Sequence, residues 1–172
     1  MLMWCRKVIA AVICFPSGEY TFYLKQYLHD GEEVYCAQGA ESGLINVNGT
    51  CIALAVCADF THPSHPTTAE AQQADVYLAS ALISPGGYAN DVELLSAIAK
   101  RHQLPVLIAN HVSTTGGWQT CGNSGGWSVV GELVVSANGT QPSLVLCRLH
   151  HGALSGRVEA MADLDHEVLT ID

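Results

Sequence analysis

Basic residues are scarce in this sequence: seven Lys and Arg stand against 16 Asp and Glu, and the formal net charge is −9. Such a surface repels phosphate backbones, and no basic run offsets it, so nucleic acid is not expected as a partner. No apolar stretch is long enough to span a bilayer, so no membrane partner is expected either. The 172 residues, 49% of them hydrophobic, are typical of a single domain over residues 1–172.

Paired cysteine motifs are also lacking. The seven cysteines are odd in number and none forms a CxxC pair, which indicates reduced thiols in a cytoplasmic protein. An opposing interpretation starts from Arg6-Lys7 and the apolar run VIAAVICF, which resembles a short signal peptide, and from two formal glycosylation acceptors, Asn48 and Asn138. The run is only eight residues long, lacks a clear cleavage site and is rich in β-branched residues, so we prefer a strand there.

The first half of the chain predicts short strands that lead to Cys57. The apolar run from Val8 to Phe15 is typical of a strand buried on both faces. Asn48-Gly49 is a hairpin signal because both residues tolerate positive φ. The other predicted strands are Thr21 to Leu24, Gly43 to Val47 and Cys51 to Val56. The chain therefore arrives at Cys57 along a strand.

The second half predicts alternating helices and strands, then consecutive strands. A short helix is expected to open at Pro66 over TTAEAQQA, and a longer one over Asn90 to His102, where Val92, Leu95, Ala99 and His102 share one face. Predicted strands are Val76 to Leu82, Pro105 to Ala109, Trp127 to Val130, Glu132 to Ala137 and Leu144 to Leu149, with turns at Gly131 and Asn138-Gly139. This order predicts an α/β fold with a mixed sheet.

Cys57 is the candidate nucleophile. A thiol attacks a carbonyl or nitrile carbon only as the thiolate, so it needs a nearby base or cation and donors for the developing oxyanion. Cys57 follows an apolar strand, and Ala58 after it can offer a backbone N–H without steric bulk. Composition alone favours a buried structural thiol at Cys57, because that is the usual role of a cysteine in an apolar run.

The order of motifs along the chain favours a catalytic role for Cys57 over a structural one. The segment from Tyr23 to Gly39 reads YLKQYLHDGEEVYCAQG, and the strand end 32 residues after Lys25 reads VCADFTHP. Further on come ADVYLASALIS, LPVLIANHV and TCGNSGGWSVVGELV. In this order the chain, from about residue 8 to residue 158, resembles the nitrilase superfamily of carbon-nitrogen hydrolases.

The resemblance implies a fold, a reaction and a set of site residues. The fold would be the family's α-β-β-α sandwich with a mixed sheet, and the reaction hydrolysis of a non-peptide carbon-nitrogen bond in a small amide or nitrile, without a cofactor. Cys57 would form a thioester or thioimidate. Lys25 would stabilise the oxyanion beside the Ala58 N–H, although a lysine there could equally be a solvated charge. Glu32, with Glu33 as the alternative register, would orient the lysine or relay a proton.

Three other residues and the assembly state complete what the resemblance implies. Asn110 and Ser124 match strand-end positions near the family's active site and would support substrate binding. Asp59 is expected to be a local hydrogen-bonding group rather than a base. Family members usually associate through a helix face beside the sheet, so a homodimer or larger homo-oligomer is expected.

One family feature has no match. The family's general-base glutamate lies many tens of residues before the lysine, and Glu19, only six residues from Lys25, fits a turn better. We therefore expect the N-terminal portion of the family fold to be missing, leaving roughly its C-terminal two thirds and much reduced turnover. The alternative function is a catalytically impaired family member that acts as a small-molecule-binding or assembly module.

Two further alternatives are weaker. His62, His65, His150 and His151 could be considered as metal ligands, but the first pair is broken by proline and no paired cysteines accompany them. We expect no metal and place those histidines in loops or on the surface. A thiol redox function is disfavoured because Cys51, the cysteine nearest to Cys57, lies along the same strand.

Overall fold

The computed structural model describes residues 7–139 and 141–161. It divides into two compact units, Met1–Ala79 and Ser80–Asp172. The prediction of one domain over residues 1–172 stays a prediction. Cys5, Arg6 and Thr140, which entered the predictions about thiols, targeting and glycosylation, lie outside the described residues.

The first unit is built mainly from short strands. Its elements are β1 (Lys7–Val8), β2 (Ala10–Cys14), β3 (Tyr20–Leu24), a 3₁₀ helix (Glu32–Val34), β4 (Cys36–Ala37), β5 (Leu44–Val47), β6 (Thr50–Val56), α1 (Ala58–Thr61) and α2 (Ser64–Ala71). Strand β7 (Val76–Ala81) begins in this unit. Strand β1 pairs with β4 in parallel, while β2 pairs with β3, and β5 with β6, in antiparallel hairpins.

The hairpin between β5 and β6 confirms the turn predicted at Asn48-Gly49. Val47 pairs with Thr50, so the loop consists of Asn48 and Gly49 alone. The φ angles of Asn48 and Gly49 are 52° and 88°. Two successive positive φ values give the loop a twist that matches the flanking strands. The hairpin therefore fixes the register of β6, the strand that delivers Cys57.

The prediction of a strand buried on both faces from Val8 to Phe15 is wrong. The run is divided between β1 and β2, and the residues of β2 alternate between exposed and half-buried. Val12 is 60% exposed and its strand pairs with β3 in a two-stranded sheet. A run without polar residues carries no periodicity, so the sequence could not indicate which of its faces is covered.

Helix α2 starts earlier than predicted. It begins at Ser64 rather than Pro66, so Pro66 lies within its first turn. A proline is accepted there because the first backbone N–H groups of a helix have no intrahelical acceptor. The early start turns His65 into the unit, where it is buried.

The second unit contains the long helix and the remaining strands. Its elements are α3 (Tyr88–His102), β8 (Val106–Asn110), β9 (Thr114–Thr115), β10 (Trp118–Gln119), β11 (Gly125–Trp127), β12 (Leu133–Ser136), β13 (Ser143–His150) and β14 (Ala153–Ala160). Helix α3 confirms the predicted amphipathic helix, since Leu95, Ala99 and His102 are buried and its last turn is basic. The turn predicted at Gly131 is also present, with a φ of 82°.

In the first unit the strand order is β5-β6-β7, and β5 pairs with β6 in antiparallel. In the second unit the order is β8-β11-β12, and both pairs are antiparallel. Helices lie in the chain between β6 and β7 and between β7 and β8. A mixed α/β structure with few helices confirms the α/β prediction. No helix in the described part of the chain is both long enough and apolar enough to cross a membrane.

Candidate active site

Cys57 occupies a sharp turn between β6 and α1. Its φ and ψ are 51° and −110°, a backbone conformation that residues with a Cβ rarely adopt. The thiol is half-buried, Ala58 is buried, and the Phe60 N–H donates to the Cys57 carbonyl oxygen at 3.2 Å. Strained backbone of this kind persists only where surrounding contacts hold it, and it is concentrated at functional sites.

Asp59 supplies those contacts. Its fully buried carboxylate accepts hydrogen bonds from the Val56 N–H at 2.8 Å and the Tyr23 hydroxyl at 2.7 Å through Oδ2. Oδ1 accepts from the backbone N–H groups of Gln26 at 3.0 Å and Tyr27 at 2.8 Å. One carboxylate thus ties the residue before Cys57 to the two residues after Lys25. The predicted hydrogen-bonding role is present, but three of its four donors lie 32 to 36 positions away and are not local.

Lys25 and Glu32 form an ion pair in which the lysine is buried and the glutamate half-buried. The Lys25 side chain is 1% exposed, and its Nζ lies 2.6 Å from Glu32 Oε2. The same oxygen accepts the His29 backbone N–H at 2.8 Å. Burial raises the pKa of Glu32, but the hydrogen bonds from Lys25 and His29 outweigh it and leave that pKa below its usual value. A lysine this deeply buried is not the solvated surface charge that the sequence also allowed.

His29 is the site residue that sequence reasoning missed. Its Nε2 lies 3.1 Å from Cys57 Sγ, although the two residues are 28 positions apart. A cleft of about 580 Å³ opens beside this contact and is lined by His29, Asp30, Gln38, Ala58 and Thr61, among others. A single histidine in a polar segment has no spacing pattern that could have indicated the contact.

His65 anchors a buried polar chain, so its predicted place in a loop or on the surface is wrong. Its Nε2 lies 2.8 Å from the Tyr23 hydroxyl and its Nδ1 lies 2.8 Å from the Tyr77 hydroxyl. Burial lowers the pKa of His65 and raises the pKa of both tyrosines, which favours the neutral form of all three. The chain continues through Tyr23 to Asp59.

The other histidine of that pair, His62, is exposed, as predicted, and stacks on Tyr27 with ring centroids 3.8 Å apart. Within residues 7–139 and 141–161, no group of three His, Cys, Asp or Glu side chains is placed to hold a metal ion.

Asn110 and Ser124 lie in the second unit. The Asn110 side chain accepts the Ile83 N–H at 2.7 Å and donates to the Gly122 carbonyl at 2.6 Å, and its backbone N–H donates to Ser124 Oγ at 2.9 Å. These contacts tie together the loops that follow β7 and precede β11. A role of either residue in substrate binding stays a prediction.

The described cysteines are not joined in disulfides, and they differ in environment. Burial raises the pKa of Cys121 and Cys147, which makes these thiols poor nucleophiles near neutral pH. Cys14 is exposed on β2. Of the described cysteines, Cys57 is the one on a strained turn with an imidazole at its sulfur.

Among known proteins, solved structures match this chain, whereas family models and curated proteins do not. Among solved structures, the chain is similar to the NitN amidase from Nesterenkonia sp. AN1, with 22% identity and a TM-score of 0.70 over 76% of this chain and 52% of that chain. It is also similar to a mutant of that amidase with the acetamide moiety of fluoroacetamide on its active-site cysteine, with 21% identity and a TM-score of 0.72 over 92% and 58% of the two chains.

A third similar structure is the glutamine-dependent NAD+ synthetase from Acinetobacter baumannii, with 16% identity and a TM-score of 0.74 over 89% of this chain and 33% of that chain. The chain spans about half the length of the amidases it matches. One of those amidases is described as a member of the nitrilase superfamily. The chain therefore has the fold of the nitrilase superfamily over the part it spans, as the resemblance of its motifs predicted.

Proposed function

We propose that this chain is a cysteine-dependent hydrolase of the carbon-nitrogen bond in a small amide or nitrile. The observation that supports it best is a continuous set of contacts: His29 meets the thiol of Cys57, its backbone N–H binds Glu32, and Glu32 holds Lys25. A nucleophile, a proton-transfer group and a buried cation are thus linked within one unit. That combination is what attack on a carbonyl or nitrile carbon requires.

Each residue has a distinct role in the proposed reaction. The Cys57 thiolate attacks the amide carbon, a C–S bond forms, and the electron pair of the C=O bond moves to the oxygen. The Lys25 ammonium and the Ala58 N–H stabilise that oxyanion, and Glu32 holds the ammonium in place. Collapse releases the amine and leaves a thioester, which water hydrolyses to the acid. With a nitrile the first adduct is a thioimidate.

The similar structures suggest which compounds to use as probes. Mutants of the Nesterenkonia amidase are described with butyramide bound, and with acrylamide or the acetamide moiety of fluoroacetamide added to the active-site cysteine. We propose small aliphatic amides of this size as the first substrate class to test. A cleft of about 580 Å³ beside Cys57 is large enough for them.

The test is release of ammonia from a panel of such amides and nitriles, with mass analysis of the protein after each incubation. We expect an adduct on Cys57 and loss of both adduct and ammonia in Cys57→Ala. Cys14→Ala is the matched control, because it removes an exposed thiol from the same unit. Ammonia release that persists in Cys57→Ala would refute the proposal.

A second candidate function, a binding or assembly module, rests on one surface. Val12, Tyr20 and Phe22 are 60%, 66% and 55% exposed on the hairpin of β2 and β3, where Val12 pairs with Phe22. Adjacent exposed apolar side chains of this kind are often covered by a partner. We propose a homodimer as the form in which that surface is buried. Light scattering after size exclusion should give twice the chain mass, and the monomer mass in Phe22→Glu; a wild-type chain that stays monomeric would contradict it.

A further inference from the structure

The contact between His29 and Cys57 has the geometry of a proton transfer. Nε2 and Sγ are 3.1 Å apart, which is within hydrogen-bond distance for a sulfur acceptor or donor. Both residues belong to the first unit, and the cleft of about 580 Å³ is lined by His29 and by Ala58, the residue after Cys57. Substrate and water in that cleft would lie beside the imidazole.

The backbone holds His29 where this contact requires it. Its N–H donates to Glu32 Oε2 at 2.8 Å, and that carboxylate is fixed in turn by the buried Lys25 at 2.6 Å. The turn between His29 and Glu32 contains Gly31 with a φ of 92°, a conformation that glycine adopts without steric cost. The ion pair therefore positions the residue that carries the imidazole, in addition to placing the ammonium.

Among the side chains in this set of contacts, the imidazole is the one suited to carry a proton in both directions. The Lys25 ammonium has donors only, and Glu32 Oε2 already accepts two hydrogen bonds, from Lys25 and from the His29 N–H. An imidazole can accept and return a proton near neutral pH. Acceptance at Nε2 requires the tautomer with its proton on Nδ1.

We infer that His29 is a catalytic residue that acts as general base and general acid for Cys57; the inference rests on the proposed function. His29 Nε2 takes the thiol proton, and the resulting thiolate bonds to the amide carbon. When the C–N bond breaks, the imidazolium gives that proton to the departing nitrogen. His29 then takes a proton from the water that attacks the thioester, and returns it to Sγ as the C–S bond breaks. The sum is amide plus water giving acid plus ammonia.

The first test measures the thiol without any substrate. Iodoacetamide alkylation of Cys57 is followed by peptide mass analysis over a range of pH in the full chain, in His29→Gln and in His150→Gln, an exposed histidine of the second unit. An ordinary thiol is only a few per cent ionised at pH 7, whereas one paired with an imidazole is ionised to a much larger extent. We expect alkylation of Cys57 at pH 7 to fall about tenfold in His29→Gln and to be unchanged in His150→Gln.

The second test separates a chemical role of His29 from a structural one. In His29→Ala, added imidazole can enter the vacated exposed position, and it should restore alkylation of Cys57 in proportion to its concentration. It should also restore ammonia release from any amide that the wild type hydrolyses. Equal alkylation rates in wild type and His29→Gln, or no rescue by imidazole, would overturn the inference.

The two proposals fail in different ways. If Cys57 forms adducts with amides and His29→Gln turns them over as fast as the wild type, His29 is not the base and the cysteine hydrolase proposal stands. If no amide or nitrile forms an adduct on Cys57, the proposed function fails, and the catalytic role of His29 fails with it. Circular dichroism of each variant checks that the fold is retained.

Discussion

Replacing Asp59 by asparagine tests how the Cys57 turn is held. The carboxylate accepts four hydrogen bonds, from the N–H groups of Val56, Gln26 and Tyr27 and from the Tyr23 hydroxyl. An amide of the same shape can keep its oxygen toward Gln26 and Tyr27. Its nitrogen then faces the Val56 N–H, so one buried donor has no acceptor, while the Tyr23 hydroxyl can turn to accept.

The expected loss follows from those contacts. An unsatisfied buried N–H costs about 1–3 kcal/mol, and two hydrogen bonds that lose a charged acceptor weaken by about 1 kcal/mol each. We therefore expect Asp59→Asn to lower the free energy of unfolding by about 3–5 kcal/mol, a large part of the stability of a small protein. The assay is urea denaturation followed by circular dichroism.

Asp75→Asn is the matched control for that measurement. Asp75 is exposed, and its Oδ2 accepts one backbone hydrogen bond, from the Cys51 N–H at 2.7 Å. Its replacement should cost no more than about 1.5 kcal/mol. If the losses in Asp59→Asn and Asp75→Asn agree within about 1 kcal/mol, the precision of the assay, Asp59 does not hold the turn as described.

Three further predictions concern pH and strain. The stability that Glu32 contributes is complete above its usual pKa of 4.5 and is lost as the pH falls through its lowered pKa in the folded state. Glu32→Gln should therefore flatten the acid limb of a plot of unfolding free energy against pH. Burial lowers the pKa of His65 from its usual 6.5, so the stability that His65 contributes is present above pH 6.5 and is lost as the pH falls through its pKa in the folded state. His65→Gln should flatten the plot of unfolding free energy against pH below pH 6.5. Because Cys57 has a φ of 51°, Cys57→Gly should be about 1 kcal/mol more stable than Cys57→Ala in urea denaturation. Equal stabilities of the two variants would contradict backbone strain at this turn.

Local chemistry in the sequence was enough to predict several elements. Asn48-Gly49 specifies its hairpin because both residues accept positive φ, and the apolar stripe of α3 specifies the face it buries. The strand before Cys57 follows from the same hairpin. In each case the determining residues lie within a few positions of one another.

Long-range placement could not be predicted in that way. The carboxylate of Asp59 binds backbone groups more than 30 positions away, and His29 reaches Cys57 across 28 positions. Strand β14 was missed because Gly156 in its middle is a residue that strands disfavour, and its pairing with β13 decides its structure. For Lys25 the sequence left two interpretations open, and burial of its side chain excludes the solvated one.

The most direct test of a nucleophilic Cys57 is reaction of the full chain with fluoroacetamide, followed by peptide mass analysis of all seven cysteines. Among the described thiols, burial disfavours Cys121 and Cys147, while exposure alone would favour Cys14. We expect one acetamide moiety per chain, on Cys57, formed before any other thiol reacts. Labelling that follows exposure, with Cys14 modified first and Cys57 left intact, would contradict the assignment of Cys57 as the nucleophile.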